Sequence, residues 1–204
     1  MVFDLGNVLI RWDPAPAIGQ AVGPEEAQRF LADTSFDFLA WNHHQDAGRD
    51  WESAESMGIA SHPHWEPHIR GYRKHFVSSL LGEVEGTAAI VSELHSAGVR
   101  LYGLTNWSAE LFPHAREHYG VLRLLDDIVV SGEERLAKPD PAIFEVLRRR
   151  IGVPLDRAVF VDDSPRNVAA AAAAGLDALT FTDAGQLRRE LVARGLLGTT
   201  TGPG

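Results

Sequence analysis

The chain has 204 residues, a formal net charge of −9 and no cysteine. This length suits one domain of ordinary size with an insertion, and the acidic balance argues against a nucleic-acid-binding surface. Without cysteine, disulfides, thiolate catalysis and cysteine-based zinc sites are excluded. We find no signal-like segment and no apolar run long enough to cross a bilayer, so we expect a cytoplasmic protein without membrane partners. We also expect no nucleic-acid partner, and a monomer or homodimer.

The first apolar run, Met1-Val2-Phe3, predicts a strand that ends at Asp4. A carboxylate at the end of a buried strand is costly to desolvate unless a cation or a hydrogen-bond network receives it. The run is followed at once by the turn-like segment Leu5-Gly6-Asn7-Val8. Asp4 therefore needs a partner from elsewhere in the chain.

Residues 12–81 lack regular strand–helix alternation and are rich in Trp, Phe and His. Helix-like spacing appears at Pro24–Ala32, Asp50–Met57 and Pro67–Leu80. This segment predicts a small helical cap inserted after the first strand, over its carboxyl end. We therefore divide the chain into a core of residues 1–11 and 82–197, a cap of residues 12–81, and a disordered Gly/Thr/Pro-rich tail of residues 198–204.

The stretch from Glu83 to Ala193 alternates between short apolar runs and helical patterns. This alternation predicts an α/β fold with a Rossmann-like parallel sheet and helices on both faces. The predicted strands are Val99–Leu104, Ile128–Val130, Ala158–Val161 and Ala178–Phe181. The predicted helix starts are Thr87 and the capping residues Ser108, Asp140, Ser164 and Asp183.

Polar groups follow several of these runs. They are Asp4, the pair Thr105-Asn106, Lys138, and the pair Asp162-Asp163. Because ligands bind at the carboxyl ends of the strands in an open parallel sheet, we expect these groups to converge on one site. Each group alone has an ordinary explanation as a turn, a helix cap or a solvated lysine.

Four segments together resemble the motifs of the haloacid dehalogenase-like (HAD) hydrolase superfamily. They occur in the order Phe3-Asp4-Leu5-Gly6-Asn7-Val8, Leu104-Thr105-Asn106, Lys138-Pro139-Asp140-Pro141 and Phe160-Val161-Asp162-Asp163-Ser164. The first segment is most similar to a branch that includes sugar-phosphate phosphatases and the phosphatase-like domains of epoxide hydrolases. The resemblance covers nearly the whole chain, because the insertion lies where this superfamily carries its cap.

The resemblance implies a Mg²⁺-dependent phosphatase that hydrolyses a small, sugar phosphate-like monoester. Asp4 would be the nucleophile that forms an aspartyl-phosphate, with Thr105, Asn106 and Lys138 as the other catalytic residues. The implied metal ligands are Asp4, the Gly6 carbonyl and Asp163, with Asp162 as a further ligand or supporting group. The implied substrate-binding residues are Gly6, Asn7, Thr105 and Asn106, and we add His43 because it offers a polar contact from the cap.

Gly6 departs from the resemblance. Most phosphatases of this superfamily carry a second aspartate at this position, which protonates the leaving alcohol and then activates water. Such help is typically worth ~10²–10⁴-fold in rate. We therefore expect either a substrate with a good leaving group, such as an anomeric sugar phosphate, or a proxy from the cap among His43, His44 and Asp46.

Three alternative functions stay open. A 2-haloacid dehalogenase would use Asp4 on a carbon–halogen bond without metal, but Asp162-Asp163 would then be two adjacent carboxylates without a cation. A weakly active or non-catalytic binding protein is the second alternative, favoured by Gly6. The third is a metal site in the cap at His64 and His68. Their i, i+4 spacing would place them on one face of a helix, but Pro63 and Pro67 disfavour a regular helix there.

The cap should select the substrate, because it covers the site. Trp41, Trp51 and Trp65 offer apolar area there, unless they form the core of the cap itself. A lid that excludes water suits a small molecule rather than a phosphoprotein.

Overall fold

The structure is a computed structural model that describes residues 1–198. The predicted tail lies outside the described residues beyond Gly198. The strands are β1 (Val2–Phe3), β2 (Ile10–Trp12), β3 (Leu80–Glu83), β4 (Tyr102–Thr105), β5 (Asp127–Val130), β6 (Val159–Asp162) and β7 (Asp177–Thr180). The α-helices are α1 (Pro14–Val22), α2 (Pro24–Leu31), α3 (Phe38–Asp46), α4 (Trp51–Ser61), α5 (Glu66–Lys74), α6 (Thr87–Ser96), α7 (Phe112–His118), α8 (Ser131–Glu134), α9 (Pro141–Ile151), α10 (Pro165–Ala173) and α11 (Ala184–Ala193).

A five-stranded sheet of order β5-β4-β1-β6-β7 forms the centre of the fold, and its paired strands are all parallel. The first strand lies in the middle: Phe3 is in register with Gly103 of β4 on one side and with Val161 of β6 on the other. The chain order reverses on the two sides of β1, which is where such sheets bind ligands. The predicted Rossmann-like parallel sheet is confirmed.

Both faces of the sheet are buried. Val2 and Phe160 pack with Phe144 of α9 on one face, whereas Phe3 and Val161 belong to the hydrophobic core on the other. Successive strand residues point to opposite faces, so short strands with mostly apolar centres suit a sheet covered by helices on both sides. The polar residues of these strands therefore lie mainly at the strand ends.

The segment between β2 and β3 is helical. Its helices α1 to α5 pack around an aromatic core in which Trp41 and Trp51 lie with ring centroids 5.4 Å apart. Trp41, Trp51 and Trp65 are all buried, so they form the core of this unit. Within residues 1–198, every helix is too short or too polar to span a membrane.

The sequence analysis did not predict the two short strands that flank the helical segment. β2 and β3 pair antiparallel, and Val84 N–H donates to the Leu9 carbonyl at 2.9 Å. The pairing brings the two ends of the helical segment together beside β1. Since these strands are only three and four residues long, their sequences carry too little alternation to signal a hairpin across some 70 intervening residues.

Two of the four predicted capping residues cap their helices through their side chains. Asp140 and Asp183 cap α9 and α11 through their carboxylates, as predicted. The prediction for Ser108 was wrong, because α7 begins only at Phe112 and the Ser108 hydroxyl accepts a hydrogen bond from Trp51 Nε1 at 2.8 Å. Ser164 precedes α10 as predicted, but its side chain makes no capping bond.

Candidate active site

Three adjacent strands deliver polar side chains to one place. Asp4 follows β1, Thr105 ends β4 and Asp162 ends β6, and all three are buried. The carboxylates of Asp4, Asp162 and Asp163 offer oxygens that lie within 4.8 Å of one another. The convergence inferred from the sequence is therefore present at the centre of the sheet.

Lys138 completes this group from the loop before α9. Its Nζ lies 3.0 Å from Asp4 Oδ1 and 2.6 Å from Asp162 Oδ2, and it donates to the Leu104 carbonyl at 2.8 Å. The Lys138 side chain is fully buried. Burial opposes its charge, but the two carboxylates outweigh this effect and raise the pKa of Lys138 above its ordinary value. The ammonium thus stays charged beside Asp4.

Asn106 holds the backbone of Lys138. Its Nδ2 donates to the Lys138 carbonyl and its Oδ1 accepts from the Lys138 N–H, both at 2.8 Å. Because both amide atoms are engaged, the Asn106 side chain positions Lys138 rather than offering itself to a substrate. Asn106 also lies on the wall of the neighbouring cavity.

The Asp162 carboxylate is also occupied by hydrogen bonds within the protein. Besides Lys138, it accepts hydrogen bonds from the Ser164 N–H at 2.8 Å and from Asn167 Nδ2 at 3.1 Å. These contacts favour Asp162 as the group that supports Lys138, leaving the exposed Asp163 as the freer carboxylate. Our sequence reasoning missed Asn167, whose only signal is a polar residue in the first turn of the alanine-rich α10.

The charge of this cluster affects Asp4 strongly. The pKa of Asp4 is raised to about 7: burial raises it most, Lys138 lowers it, and the charges of Asp162 and Asp163 contribute to the rise. One ammonium therefore does not balance three acids. A hard divalent cation fits this donor set, since carboxylate oxygens are what Mg²⁺ prefers and its charge would keep Asp4 ionised.

Thr105 carries a hydroxyl without a partner. Its side chain is buried, and within residues 1–198 its Oγ1 accepts or donates no hydrogen bond. A buried polar atom left unpaired costs about 1–3 kcal/mol, which is tolerated where a ligand supplies the partner. Thr105 is in this respect ready to bind an anionic group beside Asp4.

A cavity of about 190 Å³ opens next to these residues. On the core side Gly6 and Asn106 form part of its wall, and on the cap side Asp46 and His43 do so. The rest of the lining is largely aromatic and aliphatic, comprising Trp12, Leu39, Trp51, Tyr72, Phe76, Trp107 and Leu111 together with Asn42 and Ser108. This lining suits a small ligand with an apolar body.

The remaining predicted substrate-binding residues lie near this cavity in different ways. Gly6 lines it directly, whereas the Asn7 side chain accepts a hydrogen bond from the Trp12 N–H at 3.0 Å and is used to hold the turn. His43 lines the cavity as an exposed residue, and its pKa is lowered by burial first and then by the charges of His44 and Arg166. The cap therefore contributes His43 to the wall.

The histidine pair of the cap does not form a helical metal site. His64 lies in a single 3-10 turn, whereas His68 lies in α5, so the regular spacing of one helix is lost. His68 packs on Trp65 with ring centroids 4.6 Å apart. Within residues 1–198, the cluster of Asp4, Asp162 and Asp163 is the one group of three or more acids or histidines that could hold a metal.

The comparisons with known proteins agree with this geometry. A family model described as a haloacid dehalogenase-like hydrolase matches residues 1–175. The chain belongs to the HAD-like hydrolases. The family match covers β1 with Asp4, the loop with Lys138 and β6 with Asp162 and Asp163.

A relative of this HAD-like hydrolase is a sesquiterpene phosphatase of Aspergillus oryzae, 35% identical over 89% of this chain and 89% of that protein. Among solved structures, a HAD family enzyme of Bacteroides thetaiotaomicron in a magnesium complex covers 94% of this chain and 96% of its own, with a TM-score of 0.69 and 21% identity. An L-2-haloacid dehalogenase of Xanthobacter autotrophicus covers 94% of this chain and 81% of its own, with a TM-score of 0.63 and 18% identity. The two structural likenesses show the fold alone.

The HAD-like site has an opening at Gly6. A methyl group built onto Gly6 would meet no atom of residues 1–198 within 4 Å, leaving aside its own chain neighbours. The glycine is therefore not required by crowding. The acid expected two residues after Asp4 is missing although the space for it exists.

Proposed function

We propose that this HAD-like hydrolase is a Mg²⁺-dependent phosphatase that cleaves a small phosphomonoester through an aspartyl-phosphate on Asp4. The observation that supports this most is the position of Asp4, a buried carboxylate 3.0 Å from Lys138 Nζ at the edge of a three-acid cluster. A dehalogenase would leave the excess negative charge of that cluster without a purpose. The relationship to a phosphatase points the same way.

In the proposed reaction, an Asp4 carboxylate oxygen attacks phosphorus while Lys138 offsets the charge between them. The Thr105 hydroxyl, which is unpaired in the protein, donates to a phosphoryl oxygen. Asp4, the Gly6 carbonyl and Asp163 would hold Mg²⁺, which supplies the positive charge that lets a carboxylate approach a phosphate. Asn106 and Asp162 keep Lys138 in place.

The lining of the cavity favours a substrate with an apolar organic group. Trp12, Leu39, Trp107 and their neighbours present apolar surface beside Gly6, whereas a sugar would need many hydroxyl partners. We therefore propose a phosphate ester of a small hydrophobic alcohol ahead of the sugar phosphate suggested by the sequence. The sesquiterpene phosphatase relationship supports this choice.

The test is a panel of substrates with the wild type and Asp4→Asn. We expect phosphate release from isoprenoid and alkyl phosphates to require Mg²⁺, to exceed release from sugar phosphates, and to vanish in Asp4→Asn. An acyl-phosphate on the Asp4 peptide, detected by mass spectrometry after rapid acid quenching, would identify the nucleophile. Metal-independent halide release from 2-chloropropionate, or phosphatase activity that survives Asp4→Asn, would contradict the proposal.

A further inference from the structure

The leaving alcohol of such a substrate needs a proton. An alkoxide is a poor leaving group, so general-acid help matters most for the substrates that the apolar cavity favours. Gly6 offers no side chain for this task. A donor must therefore come from another residue that reaches the same cavity.

Asp46 is placed to do so. It is the last residue of α3 and lines the cavity together with Gly6. Its Oδ2 accepts a hydrogen bond from Asn42 Nδ2 at 3.1 Å, which fixes the carboxyl against the helix. Its backbone carbonyl accepts from Ser131 Oγ at 2.5 Å, so the cap residue is tied to the core.

The surroundings of Asp46 favour its acid form. The pKa of Asp46 is raised to about 7: burial raises it most, a hydrogen bond from the Ser108 N–H lowers it, and the charge of Asp4 contributes to the rise. Asp46 lines the same cavity as Gly6, which lies two residues after Asp4 in the chain. No cation within residues 1–198 pairs with Asp46.

We propose that Asp46, reaching the site from the cap, is the acid and base of the reaction and takes the part of the side chain missing at Gly6. This role rests on the proposed phosphatase function. His43 lines the same cavity but is exposed and lies toward Arg166, so it is the weaker candidate.

The proton balance of the reaction is complete with Asp46. As an Asp4 oxygen forms its bond to phosphorus and the ester P–O bond breaks, the Asp46 carboxyl gives its proton to the departing alcohol oxygen. A water then forms the new bond to phosphorus while the Asp46 carboxylate takes its proton. The bond between Asp4 and phosphorus breaks, which releases inorganic phosphate and restores both residues.

The experiment compares Asp46→Asn with the wild type on monoesters whose leaving groups range from an alkyl alcohol through phenol and p-nitrophenol to 2,4-dinitrophenol. For alkyl phosphates we expect kcat/KM to fall by about 10²–10⁴-fold, because the alkoxide loses its proton donor. For the dinitrophenyl ester the loss should stay below about fivefold, since that leaving group needs no proton. The same variant should show a burst of dinitrophenol and a long-lived phospho-Asp4, because water activation is also lost.

Glu110→Gln is the matched control. Glu110 joins the core to the cap by accepting from the Trp51 N–H at 2.8 Å and from Arg73 at 2.9 Å, and it is not part of the cavity wall. Loosening the cap in this way should change all substrates by a similar factor. A uniform loss in Asp46→Asn like that in Glu110→Gln would overturn the assignment and reduce Asp46 to an anchor of the cap.

A second variant adds a gain of function. Gly6→Asp in the Asp46→Asn background should restore much of the alkyl phosphate activity, since a side chain at Gly6 meets open space. A wild type without phosphatase activity would overturn both proposals. An active wild type, an inactive Asp4→Asn and an Asp46→Asn with an unchanged leaving-group dependence would overturn only the role of Asp46.

Discussion

Lys138 and Asp4 form a buried pair whose value lies in charge rather than in stability. The attraction between two buried charged side chains offsets their desolvation penalty only when both are well paired. Removing one of them leaves the other buried without a partner and strongly destabilises the protein. Lys138 has a second carboxylate, Asp162, at 2.6 Å. The lysine therefore lowers the pKa of a carboxyl group that burial pushes toward its protonated form.

Replacing Lys138 by methionine should abolish phosphatase activity and cost about 3–5 kcal/mol in the free energy of unfolding. The loss should depend on pH. The folded-state pKa of Asp4 already lies above its ordinary value and rises further without the ammonium, so the folded protein holds a proton that the unfolded chain releases. Stability of the variant therefore falls as pH rises through the folded pKa.

Urea unfolding in EDTA at about pH 5 and about pH 8 measures this dependence. The chain has one other lysine, Lys74, which is exposed, so Lys74→Met is the matched control and should leave stability nearly unchanged at both values. A Lys138→Met variant equally destabilised at both pH values would contradict the assigned role of the ammonium.

The sequence predicts a site residue when that residue lies beside a recognisable strand end or helix cap. Asp4 and Asp162 sit at predicted strand ends, so the sheet alone brings them together, and Lys138 comes two residues before the predicted helix cap Asp140. Asn167 and Asp46 have no such marker. Asn167 comes five residues after Asp162 on a helix, and Asp46 ends a helix of the cap whose position over the sheet depends on packing.

At the scale of the elements, helix caps carry local information that survives folding. Asp140 precedes Pro141 and accepts the Ala142 N–H at 2.8 Å, so α9 starts where the sequence predicts. α3 shows the opposite case. It buries Phe38, Trp41 and the polar Gln45, so its inner face is not uniformly apolar and its periodicity gives no clear signal.

Asp140→Ala should lower the free energy of unfolding by about 1 kcal/mol, because the first turn of α9 loses the acceptor for one N–H group. Asp140→Asn keeps a side-chain oxygen at the same position and should lose only a fraction of this. Thermal and urea unfolding of the two variants side by side give the comparison. Equal losses would mean that the charge at the start of α9 matters more than the hydrogen bond.

At the scale of the whole molecule, the site is shared between the core and the helical segment above it. The connection runs through Ser131, which follows β5. Its Oγ accepts from the Trp107 N–H at 2.9 Å and donates to the Asp46 carbonyl at 2.5 Å. Gly132 lets the backbone approach closely here, because a Cβ atom would lie 2.4 Å from Ala109 N. Core, loop and cap thus meet around one fully buried hydroxyl.

Ser131→Ala tests whether this contact holds the cap closed. Two hydrogen bonds are lost and the buried Trp107 N–H loses its partner, so we expect a loss of about 1–3 kcal/mol in the free energy of unfolding. The effect on function should appear in kcat as well as in KM for alkyl phosphates, because Asp46, the proposed acid, and the apolar wall lose a contact that ties them to the core. Amide exchange in α3 should speed up as well.

Ser79→Ala provides the comparison. Ser79 is also fully buried, but its Oγ donates to the Phe76 carbonyl at 2.6 Å within one short turn and does not join the cap to the core. Its removal should lower stability by a similar amount and leave KM and the exchange of α3 unchanged. If the two serine variants behaved alike in KM and in exchange, closure of the cap would depend on the aromatic packing and the Glu110 contacts instead of Ser131.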